Sequence, residues 1–108
     1  MDIRARIEGS VCGFVTVVEA RSADGLVAQL VFESDCPKVQ ALAADLKELD
    51  AVEEVLRKPF VETTVARLAA RHKLHTSCVM PVGVIRAVEA AAGLALPRSS
   101  AIELARIE

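Results

Sequence analysis

A chain of 108 residues with 53% apolar and 26% charged side chains holds enough material for one domain with its own core, spanning residues 1–108. Its 15 acidic and 13 basic residues leave a net charge of −2, and the three Phe are its only aromatics. A strongly basic face interleaved with stacking rings is excluded, so nucleic acid is not an expected partner.

The opening MDIRARIEGSVCG lacks the apolar stretch of a signal peptide. The longest uncharged run, residues 74–85, is interrupted by His75, Pro81 and Gly83 and is too short to span a bilayer. These features lead us to expect a cytoplasmic protein with no membrane partner. An odd number of cysteines, three, argues against a disulfide framework in a reducing compartment.

Residues 2–8 alternate, with Ile3, Ala5 and Ile7 opposite Arg4 and Arg6, as in a half-buried strand that Gly9-Ser10 ends. Residues 14–19 are rich in β-branched side chains and predict a second strand. Residues 26–32 predict a third, with Leu26, Ala28, Leu30 and Phe32 on one face. Asp24-Gly25 between them is a hairpin signal, since both residues tolerate positive φ.

The period then changes to 3.6. Val39, Leu42, Ala43, Leu46 and Leu49 form a helical stripe, and Pro37 suits the first helical position. A short helix over residues 51–56 ends before Pro59, a longer one covers 61–71, and Pro81 opens another that runs through Ala92 to a Gly93 cap. Residues 100–107 suit a closing edge strand, with a frayed helix as the alternative. The expected fold is α+β: a three-stranded antiparallel meander followed by three or four helices packed on one face.

Each cysteine falls at an element boundary and not within an apolar stripe. Cys12 precedes the second strand, Cys36 lies between the third strand and the first helix, and Cys78 precedes the last helix, three residues after His75. Two of the three precede helix N-termini, where free N–H groups favour a thiolate. Together Cys12, Cys36, His75 and Cys78 make a Cys3His set suited to zinc or an iron–sulfur cluster, two cargoes that ligand type does not separate. Among the other polar residues, His72 reads as a solvated helix C-terminus, Asp35 as a helix N-cap, and Glu53, Glu54 and Glu62 as solvated helix faces. There is no Walker loop, GxGxxG or GxSxG, so the sequence offers no support for a nucleotide-binding enzyme or a hydrolase of that type.

Val11-Cys12-Gly13, Asp35-Cys36-Pro37 and Lys73-Leu74-His75-Thr76-Ser77-Cys78 resemble the three cysteine motifs of the iron–sulfur cluster assembly scaffold family, NifU N-terminal type. In that family a Cys-Gly precedes a strand, a second Cys lies between the third strand and the first helix, and a third opens the last helix beside a His. The resemblance implies a NifU-like fold, cluster or metal ligation by these residues, and a donor or acceptor protein as partner. It departs from the pattern at Phe14, where the family carries Asp, at Pro37, and in the two residues between His75 and Cys78. Thr76-Ser77-Cys78 ahead of an Ala-rich helix also resembles the TSCPD domain.

Two further readings stay open. In one, the chain is a non-catalytic interaction or assembly domain, a homodimer whose cysteines are buried and inert. In the other, it is a thiol redox protein using Cys36 or Cys78 as nucleophile.

Overall fold

In the computed structural model, which describes residues 1–9 and 11–108, three strands form an antiparallel meander: β1 (Asp2–Glu8), β2 (Val15–Arg21) and β3 (Val27–Ser34). Ser10, part of the expected break after β1, lies outside the described residues. The period-two pattern sets the register. Ile3 pairs with Ala20, Ala5 with Val18, Val18 with Phe32 and Ala20 with Leu30, so one face is apolar except at its Thr16–Ser34 end. The other face carries Arg4, Arg6, Glu19 and Arg21, with Arg4 and Arg21 each 3.3 Å from Glu19. At the β2–β3 turn the Asp24 carboxylate accepts from the N–H groups of Leu26 and Val27, which hold its pKa below the usual carboxylate value. Gly25 takes φ +74 in that turn, as the hairpin signal required. Leu26 belongs to the turn and is exposed, a departure from its expected place on the inward face.

The helices cover the apolar face: α1 (Pro37–Ala44), α2 (Thr64–Arg71) and α3 (Met80–Ala91). The core joins Val18, Ala20 and Leu30 of the sheet to Val39 and Leu42 of α1, Val65 and Leu68 of α2, and Val84 and Val88 of α3. Pro37 begins α1 as expected. Gly93, at φ +75, closes α3: its N–H donates to Ala90 O, and Leu94 N–H donates to Glu89 O.

Three sequence expectations are corrected. The stripe read as one helix through Leu49 stops at Ala44, and Glu48–Asp50 form a fourth strand, β4, beside β3. Leu30 N–H donates to Lys47 O, so the chain satisfies the open edge of β3 instead of adding another helical turn. The short helix expected over residues 51–56 is present, α-helical at 51–52 and π-helical over Glu53–Arg57, whereas the next helix is divided into a short 3-10 turn, Phe60–Glu62, and α2. The division falls at Thr63, whose side chain accepts from Ala66 N–H and caps α2. Residues 100–107 form neither strand nor helix, and residues 96–108 are exposed throughout.

The expected roles of three polar groups also change. Glu54 is only 4% exposed; both of its carboxylate oxygens accept from Thr64 N–H, at 3.0 and 2.9 Å, so it caps α2 from inside the fold. His72 Nε2 lies 2.8 Å from Asp45 Oδ2 and ties the end of α2 to the end of α1. Asp35 does not cap α1. Ser34 Oγ instead accepts from Cys36 N–H, while Gln40 Nε2 donates to Ser34 O.

Candidate functional site: a cavity lined by three thiols

Three connections meet at one end of the sheet. The β1–β2 loop is drawn closed by Gly9 N–H donating to Phe14 O at 2.9 Å and Gly13 N–H donating to Gly9 O at 3.1 Å. Gly13 takes φ +75 at its close, and Cys12 is exposed on this loop. Its sulfur rests against Gly9, where an added Cβ would come within 2.6 Å of Sγ. The β3–α1 connection puts Cys36 at the N-cap position, with its carbonyl accepting from Gln40 N–H in the first turn of α1.

The α2–α3 connection depends on an unusual residue. Lys73 is the only non-glycine residue at positive φ among the described residues, at φ 57. Its N–H donates to Ala70 O, and Leu74 N–H donates to Ala69 O, so α2 ends in the same manner as α3 but without a glycine. That reversal directs Leu74 and His75 towards the sheet end. Cys78 N–H donates to His75 O at 3.0 Å, a tight turn that brings the sulfur to the start of α3.

The result is a cavity of about 230 Å³ whose lining includes Cys12, Cys36, His75 and Cys78. All four residues singled out by their boundary positions therefore border one space, although the three cysteines lie on three separate connections. The rest of the wall is largely apolar, from Ile7, Phe14, Val39, Leu74, Val79 and Met80, with Lys38 and Thr16 as polar members. Sequence reasoning missed Thr16. The signal was a polar residue on the inward face of β2, where its neighbours Val18 and Ala20 are apolar. Its hydroxyl lies 2.9 Å from Ser34 Oγ, the group that also holds Cys36 N–H.

None of the three thiols is fully buried: Cys12 is exposed, and Cys36 and Cys78 are half-buried. The expectation that the start of a helix favours a thiolate fails at Cys78. Burial pushes its thiol pKa up more than the Met80 N–H facing it pulls it down, and the neighbouring Cys12 and Cys36 push it further up. The donor set is right in kind for a thiophilic metal, but among the described residues no three His, Cys, Asp or Glu side chains are gathered closely enough to hold an ion. No helix among the described residues is long and apolar enough to cross a membrane.

Fold and cavity together define a small α+β domain with a thiol-lined pocket at one end of its sheet. The chain belongs to a family of unknown function, DUF6951, whose profile matches residues 3–104. Neither the curated proteins nor the solved structures contain a match to it.

Proposed function

We propose that this protein binds a thiophilic metal ion or an iron–sulfur cluster, with Cys12, Cys36 and Cys78 as thiolate ligands and His75 as a fourth or exchangeable one. The observation that carries the reading is the convergence of three cysteines from three connections, together with His75, on one cavity. A bound cation would supply the positive charge needed to ionise the raised Cys78 thiol. The ligands are not gathered in this arrangement, so binding requires their side chains to draw together over the cavity. A ligand that opens and closes suits a carrier, with a metal- or cluster-donating or -accepting protein as partner. The resemblance to the cluster-scaffold family supports the same reading through the placement of the cysteines. Three free thiols are best kept in the reducing cytoplasm. The alternative, inert packing cysteines in an assembly domain, leaves the exposure of Cys12 unaccounted for.

The test is metal and sulfide analysis with an ultraviolet–visible spectrum on protein purified without oxygen, before and after reconstitution with iron and sulfide or with zinc. About one metal site per chain, lost on Cys12→Ser, Cys36→Ser or Cys78→Ser, is expected. A thiolate-to-iron absorption band with acid-labile sulfide identifies a cluster, and zinc alone identifies a mononuclear site. Failure to retain any metal after both reconstitutions sinks the reading.

A further inference from the structure

β1 is an outer strand of the sheet, and nothing among the described residues pairs with its free edge. On its free side this seven-residue strand presents the N–H and C=O groups that do not face β2 to any extended segment of suitable pattern. On its inward row Ile3 and Ala5 are only half-buried, and its outward row carries Asp2, Arg4, Arg6 and Glu8.

The chain also carries an unpartnered segment that fits this edge. Residues 96–108 have no regular structure, and Ile102, Leu104 and Ile107 are 77%, 94% and 96% exposed. Only the root of the segment is held, by the Arg86 guanidinium donating to Arg98 O. Ile102 and Leu104 flank Glu103, so an extended backbone puts the two apolar side chains on one side and the carboxylate on the other.

We propose that residues 100–105 of one copy add as a strand to the β1 edge of a second copy, giving a two-fold dimer. In an antiparallel register with Glu103 opposite Arg4, Leu104 lies beside Ile3 and Ile102 beside Ala5. The half-buried inward row of β1 is thereby covered. On the outward row Glu103 sits among Arg4 and Arg6, the opposite-charge pairing that favours cross-strand neighbours. Two-fold symmetry makes the contact twice, so both open β1 edges are closed and both apolar segments are covered. The inference is independent of the metal-binding reading.

The test is sedimentation velocity of the full chain over a concentration series, with amide hydrogen exchange read at β1. The expected result is a dimer, with β1 exchange slowing as concentration rises. The double substitution Ile102→Glu/Leu104→Glu is expected to abolish both, while leaving the urea midpoint of the monomer core unchanged, since both side chains are exposed in the isolated fold. Arg4→Glu should weaken association and Glu103→Arg on the same chain should restore it. A chain that stays monomeric throughout overturns the proposal, as does a dimer indifferent to the double substitution. A monomer with slow, concentration-independent β1 exchange, meaning that the segment closes on its own strand, also overturns it.

Discussion

Gly83 of α3 lies so close to Ile7 of β1 that a Cβ at position 83 would overlap the Ile7 side chain. This contact sets how near the last helix comes to the first strand, and so how near Cys78 stands to the β1–β2 loop. Gly83→Ala regains about 1 kcal/mol of helix propensity, but overpacking at a buried contact costs about 1–3 kcal/mol. We expect a net loss of stability in urea unfolding. Adding Ile7→Ala should remove the overlap, so a double-mutant cycle is expected to show favourable coupling of about 1 kcal/mol.

Lys73 holds a left-handed conformation that costs an L-residue about 1–2 kcal/mol. Lys73→Gly is therefore expected to stabilise the protein, by somewhat under that amount because glycine also frees the unfolded chain. A rise in thermal midpoint with an unchanged far-ultraviolet spectrum checks it. A fall would mean that the lysine side chain contributes more than its backbone costs.

Buried Glu54 accepts the first free N–H of α2 and lies 3.6 Å from Lys58 Nζ. Removing a charged acceptor and leaving a buried donor unpaired costs about 2 kcal/mol. Glu54→Ala should lower the free energy of unfolding by that amount, and Glu54→Gln, which keeps an acceptor, by less. Equal losses would show that the ion pair, and not the cap, is what matters.

The meander was legible because its period-two pattern is long and its turn carries Asp24-Gly25. β4 was not. Three residues are too few for a period, and Leu49 fits the preceding helical stripe equally well. Glu54 was misread for a related reason: adjacent to Glu53, it looks like half of a solvated pair, and only the return of the chain at Thr64 buries it. For the site, the boundary positions of Cys12, Cys36 and Cys78 were visible in sequence. Their common cavity was not, since it depends on α3 docking across β1 through Gly83, a packing contact that no local pattern encodes.

The Cys78 thiol, raised by burial and by its two cysteine neighbours, binds its proton more tightly in the folded chain than in the unfolded one. Its contribution to stability is thus complete below the ordinary thiol value of about 8.5 and is lost as pH rises through the raised folded value. Metal-free protein should lose stability in alkaline buffer, and Cys78→Ser should flatten that loss. At neutral pH, iodoacetamide should modify exposed Cys12 before Cys78, read by peptide mass spectrometry. Faster alkylation of Cys78 would reverse the assignment and favour a nucleophilic thiol there.

The sheet runs β1-β2-β3-β4 in chain order, so every strand pairs with the one made just before it. The β1–β2 and β2–β3 pairings close short loops and the β3–β4 pairing spans only α1, so the sheet is kinetically easy to form. The union of α3 with β1 spans most of the chain and carries the larger loop-closure cost. All four strands lie within the first 50 residues, so the sheet can pair before α3 docks on it. The three thiols border one cavity only once α3 has docked on β1, because Cys78 stands just before that helix.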